Sequence, residues 1–314
     1  MTAPASGNVA AIYMLPVPIW VTNSCLGETY QSGINGMSFD VIMPRDPSDS
    51  NGAPDVEGLE IPGVFDGHPT GWTEYYAATI PDQFSPATAL IRILINSVEA
   101  PKNPGKTWKT PDHLLAERAN YWFDGVRTWV EVLTGQDLDP NHRLYDAETL
   151  GAELTFIEPK HDGPLGMRLT TSTIYPVTPD KWAIIMAEVS RSERPPLEHI
   201  LLRDARASLS RGFYRRAVID AAAAVEITLS GELERRLHEL PETQRKRMER
   251  KPSLGTQIDI AKASGISFHT PYKDLHELTS ARNDAVHRAA EPGYIPVHSI
   301  IGTATSMVLE INPI

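Results

Sequence analysis

Apolar positions change their rhythm along the chain. Up to about residue 96 they alternate or form short runs, which predicts strands at 9–14, 19–22, 36–43, 61–65 and 89–96. Clusters of Pro, Gly, Asp and Asn separate them, and 44–60 reads as a long surface loop. The apolar run 9–21 is interrupted by Pro16 and Pro18, lacks a basic leader and is too short to span a bilayer, so it too reads as strand. Residues 1–8 read as a loose tail. Leu114, Leu115, Ala119, Trp122, Val126, Trp129 and Leu133 then fall at helical spacing over 111–135, with the aromatic side expected in the core. Strands are predicted at 152–158 and 167–175, joined across His161-Asp162-Gly163-Pro164, and a helix at 180–190 starts behind Thr178-Pro179.

From residue 197 the rhythm is helical throughout. Helices are predicted at 197–211, 214–240 (ending at Pro241), 242–252, 253–264, 275–290 and 297–311. Ser253 is the expected cap of the fourth and Gly265 its stop. Short connections between such helices favour an up-and-down bundle. The chain thus divides into an α+β domain (1–190), a charged, Pro-containing linker (191–196) and an all-α helical bundle (197–314).

Composition refines this picture. A chain of 314 residues with 41% apolar and 22% charged positions describes two soluble globular domains, with no membrane partner expected. The one cysteine, Cys25, excludes an internal disulfide and points to a reducing, cytoplasmic setting. Net charge is −11, unevenly spread: residues 1–194 carry 13 Lys+Arg against 25 Asp+Glu (−12), and residues 195–314 carry 16 against 15 (+1). That balance argues against a broad duplex-binding face but leaves room for a grip on a short single strand. Eighteen of the 26 prolines precede residue 195, as a strand-and-loop domain would have them.

Few motifs suggest chemistry. Residues 100–107 end in Gly105-Lys106-Thr107, but Ala100 stands where a phosphate loop needs Gly, and Pro101, Pro104 and Pro111 stiffen the segment; it reads as an exposed turn. His68, His113, His142 and His161 are too scattered to form a site, and His276 and His287, roughly 16 Å apart along a helix, cannot share one ion, so no metal site is expected. The informative stretch is 275–290, which opens behind Pro271 and closes before Glu291-Pro292-Gly293. Leu275, Leu278, Arg282, Ala285 and Ala289 share one face, which places an arginine in an apolar stripe. His287 lies about 140° further round, at the edge of that face, on the same side as His276, Ser280 and Asn283. On helix 214–240, Glu226 shares a face with Ile219, Ala223, Ser230 and Leu233. Pairing of Glu226 with Arg282 is expected, either as an ion pair that only fixes helix register or as one that orients Arg282 for function. The basic run Arg245, Lys246, Arg247, Arg250 and Lys251 is either an RNA contact or a solvated segment beside Glu239, Glu242 and Glu249.

Arg282-x4-His287, with Asn283 directly after the arginine, resembles the R-x4-6-H signature of the HEPN superfamily (higher eukaryote and prokaryote nucleotide-binding domains). The run from Gly212-Phe213-Tyr214-Arg215-Arg216 to Glu226 is similar to that family's early aromatic, Ala-rich helix, and Leu254-Gly255-Thr256 to the segment before its motif helix; the resemblance covers about residues 196–314. It implies a HEPN-like bundle acting as a metal-independent endoribonuclease without cofactor. His287 would be general base or acid, Arg282 would hold the scissile phosphate, Asn283 would orient the pair or the substrate, and Glu226 would support Arg282. Arg245, Lys246 and Arg247 are candidate RNA contacts. The resemblance also implies a homodimer with a composite site, RNA as substrate, and a place in bacterial defence or toxin systems. The N-terminal domain would then be a sensor or regulator, with a regulatory protein as a further candidate partner. A non-catalytic scaffold that binds a nucleotide or a protein partner is the alternative.

Overall fold

The computed structural model describes residues 10–44, 73–80, 83–97, 111–139, 175–288 and 291–314. The tail 1–8, the strands expected at 61–65 and 152–158, nearly all of the loop at 44–60 and of the strand at 167–175, the turn 161–164 and the segment 100–107 lie outside the described residues. The chain forms two compact units, Met1–Arg127 with Gln136–Ser192, and Thr128–Gly135 with Glu193–Ile314.

The first unit is built on a five-stranded antiparallel sheet: β1 (Ala10–Thr22), β2 (Thr29–Ile34), β3 (Met37–Ile42), β4 (Thr73–Ile80) and β5 (Gln83–Ser97). The order is β1-β5-β3-β2, with β4 pairing along the first half of β5. Strands 9–14 and 19–22 prove to be one, whose register against β5 shifts between Met14 and Ile19, the stretch that holds Pro16 and Pro18. Proline has no N–H for the ladder, so an irregularity there lets the strand run on. The expected strand at 36–43 is the second arm of a hairpin. Asn35 and Gly36 form its two-residue turn, both at positive φ (49° and 76°), and β2 is the arm before it. Two helices follow, α1 (Pro111–Thr134), whose residues from Thr128 on belong to the second unit, and α2 (Pro179–Ser190), the latter started by Pro179 and by Thr178, whose hydroxyl accepts from the Lys181 N–H at 3.4 Å. Trp122 of α1 is fully buried, donates from Nε1 to the Ser32 hydroxyl at 2.9 Å and meets Phe39 edge to face; Ser32 in turn donates to the Met186 carbonyl of α2. The aromatic side of α1 is core.

The second unit consists of Thr128–Gly135 together with α3 (Leu197–Ser210), α4 (Tyr214–Arg235), α5 (Glu242–Met248), α6 (Leu254–Ala263), α7 (Tyr272–His287) and α8 (Tyr294–Ile311). Helix α4 is central and packs on α3, α6, α7 and α8. Its alanines allow close approach: Ala217, Ala221, Ala222, Ala224, Val225, Leu229 and Leu233 are all buried. Two carboxylates buried with them have partners, Asp220 with Arg216 at 2.6 Å and Glu232 with Arg235 at 2.8 Å and with Arg236. Thr128–Gly135 belongs here through α3. Arg206 donates to the carbonyls of Glu131 (3.3 Å) and Val132 (3.2 Å), and Arg203 pairs with the Glu131 carboxylate at 3.3 Å. No helix among the described residues is long and apolar enough to cross a membrane.

Candidate functional site

Helix α7 starts behind Pro271 and presents Leu275, Leu278 and Ala285 to the core. Arg282, one turn from Leu278 on the same stripe, is half-buried. Its Nη1 donates to Oδ1 of Asn283 at 3.2 Å, and both side chains line a cleft of about 230 Å³ against the start of α6. Ser253, Leu254, Gly255, Thr256, Asp259 and Thr279 complete the lining. Gly255 faces Thr279 at a distance where an added Cβ would lie 3.4 Å from its Cγ2, so the glycine lets the first turn of α6 lie close on α7.

Ser253 stands at the cap position of α6, but its hydroxyl meets Thr256 Oγ1 at 3.3 Å and makes no capping bond to a backbone N–H. The expected cap is therefore a hydroxyl pair, and the first turn of α6, Leu254 to Thr256, lines the cleft without a side-chain cap. The first turn of a helix, a guanidinium that among the described residues bonds only to Asn283, and two hydroxyls suit a phosphate-sized anion. Asp259 is the opposing charge; it stands 3.9 Å from Nε2 of His276, too far for a hydrogen bond.

Arg282 and Glu226 are not joined: among the described residues no ion pair links them. The reason is height along the helices. Nε of Arg215 donates to the Ala285 carbonyl at 2.7 Å, so the start of α4 stands at the end of α7. Glu226 lies eleven residues further along α4, roughly 16 Å by helical rise, whereas Arg282 is only three residues from Ala285. Both residues are half-buried, at the margins of their helices' core faces, and periodicity said nothing about their level.

His287 closes α7 and is exposed. It does not line the cleft, so Arg282 and Asn283 come together within the chain and His287 stands apart from them. The three basic candidates of α5 lie outside the cleft too: Lys246 pairs with Glu242 at 2.7 Å, Arg247 donates to Gln244 at 3.0 Å, and Arg245 is exposed. No group of His, Cys, Asp and Glu that could hold a metal ion occurs among the described residues. Asp259, Thr279 and Ser253 escaped the sequence reading as cleft residues. Thr279 lies about one turn before Arg282 on α7, which is the only local signal that could have found it.

Comparison of the chain with family models, with curated proteins and with solved structures finds no match.

Proposed function

We propose that the chain is a HEPN-type endoribonuclease that cleaves RNA without a metal, with Arg282 holding the scissile phosphate, Asn283 fixing the guanidinium and His287 moving the proton. The observation that supports this reading most directly is the cleft itself. Two segments singled out separately by the resemblance, Leu254-Gly255-Thr256 and Arg282-Asn283, line one hollow with the donors a phosphodiester needs. A ribose 2′-hydroxyl attacking that phosphorus must lose a proton, and the leaving 5′-oxygen must gain one, work suited to an imidazole near neutrality. Since His287 lies outside the cleft of its own chain, the composite site of a homodimer is the arrangement in which a second copy's imidazole reaches it. A role in defence or toxin systems belongs to this reading.

A second reading has its own observation: the cleft takes its shape from α6 and α7 of one chain, without His287. On that reading the bundle is a non-catalytic module that binds a nucleotide or a phosphorylated partner.

Cleavage of labelled tRNA and mixed cellular RNA in EDTA separates them. The first reading expects cutting by the full chain, lost in both Arg282→Ala and His287→Ala. Cutting that persists in both variants, or none under any condition while the chain binds a nucleotide through Arg282, sinks it in favour of the second.

A further inference from the structure

Helices α3 and α6 end in the same way. Each closes on a glycine of positive φ, Gly212 (79°) and Gly265 (72°). In each, the next residue bonds back five positions, Phe213 N–H to the Ser208 carbonyl at 2.8 Å and Ile266 N–H to the Ala261 carbonyl at 3.1 Å. This closure normally folds an apolar residue back onto the helix it ends. Ile266 obeys, at 9% exposure, whereas Phe213 in the same motif remains 63% exposed. The closure thus leaves the Phe213 ring facing solvent.

A second apolar group stands at that end of the bundle. Tyr294 and Ile295, the first residues of α8, are 48% and 81% exposed. Tyr214, next to Phe213, meets Tyr294 edge to face at 6.3 Å, and the His298 ring lies 5.9 Å from Tyr294. Cations stand at the same end of the bundle. Among the described residues Arg215 commits only Nε, to Ala285 at the end of α7; Arg288 is bound to Asp284 at 3.0 Å yet stays exposed. His287 closes α7 at this same end.

We propose that this end of the bundle binds single-stranded RNA, with unpaired bases stacked on Phe213 and Tyr294 and phosphates met by Arg215 and Arg288, an inference that rests on the ribonuclease reading and gives it a substrate class. Exposed rings among guanidinium groups offer a strand both things it presents, flat faces and negative charge. In a duplex the bases face one another and leave the rings nothing to stack on.

The test is fluorescence anisotropy with a labelled single-stranded 12-mer, its duplex, and a 12-mer of the same phosphate count lacking bases, using His287→Ala so that the probe survives. Phe213→Ala and Tyr294→Ala are expected to weaken the single strand on the order of ten-fold each, with Phe213→Trp and Tyr294→Phe restoring it. The abasic strand should bind weakly and be indifferent to both alanine changes. Circular dichroism confirms that the variants fold. Equal binding of all variants, preference for the duplex, no binding of the single strand, or a change of particle mass in Phe213→Ala, which would mark a face between copies, each overturns the proposal. Cleavage by the unaltered chain is scored separately. Ring-dependent binding without cleavage sinks the nuclease reading alone; cleavage without ring dependence sinks this inference alone.

Discussion

Arg215, in the first turn of α4, donates its Nε to the main-chain carbonyl of Ala285, in the last turn of α7, at 2.7 Å. One guanidinium thus satisfies a carbonyl that the end of a helix leaves open and places a positive charge at the negative end of that helix's dipole.

Replacing Arg215 by methionine, which keeps much of the stem, should cost about 1 kcal/mol in chemical denaturation. Faster hydrogen exchange should be confined to the end of α7. Uniform exchange across the bundle would mean that the bond does not hold that end.

Arg282 should behave in the opposite way. Its one hydrogen bond among the described residues goes to its neighbour Asn283, so Arg282→Lys should leave stability within about 0.5 kcal/mol. The forked pair of donors is lost with the guanidinium, and if the cleft holds a scissile phosphate, RNA cleavage should fall on the order of a hundred-fold. Wild-type cleavage by Arg282→Lys would remove the arginine from the site.

His199 makes the bundle sensitive to acid. Burial lowers the imidazole's pKa, against the opposing pull of its bond to the Asn312 carbonyl (2.9 Å) and of Glu198, while Arg206 adds to the lowering. An unfolded histidine titrates near 6.5. As pH falls below about that value the unfolded chain takes up a proton that the folded chain resists, so stability present at neutral pH declines. Denaturation from pH 7.5 to 5.5 should show that decline, reduced in His199→Gln; an identical slope in the variant would refute the assignment.

Glu310 titrates with the other sign. Burial pushes its carboxyl up, but the backbone N–H groups of His269 (2.7 Å) and Thr270 (3.2 Å) and the His269 ring (3.1 Å) outweigh that and leave it below the ordinary glutamate range. Its stabilisation is therefore full above the unfolded pKa near 4.3 and lost as pH falls through the depressed folded value. Glu310→Gln should cost about 1 kcal/mol at pH 7 by urea denaturation and nothing well below pH 4.

Helices were legible wherever local chemistry decides them: Pro111, Pro179 and Pro271 begin α1, α2 and α7, and Gly265 stops α6. The β2–β3 hairpin had its signal in Asn35-Gly36, passed over because β2, with Gln31, Ser32 and Gly33, shows no apolar alternation. Strand β4 (TEYYAATI) carries none either and takes its place from pairing with β5. Within the candidate site, Arg282 and Asn283 were found from the motif and Leu254-Gly255-Thr256 from the resemblance, but their meeting depends on how α6 lies on α7. Arg203 and Arg206 illustrate what a sequence hides. Nothing in the spacing of these two arginines points to their partners, which lie some seventy positions earlier.

That last attachment bears on how the bundle can be handled. A chain cut at residue 193 would begin at α3 and lack Glu131 and Val132, which leaves the guanidinium of Arg206, deep enough that burial lowers its pKa to about 10, with neither of those carbonyl acceptors. The bundle is therefore not a cassette that can be lifted out at its linker. A graft into another protein must bring a short donor peptide equivalent to Thr128–Gly135, much as a lock moved to a new door must take its strike plate along.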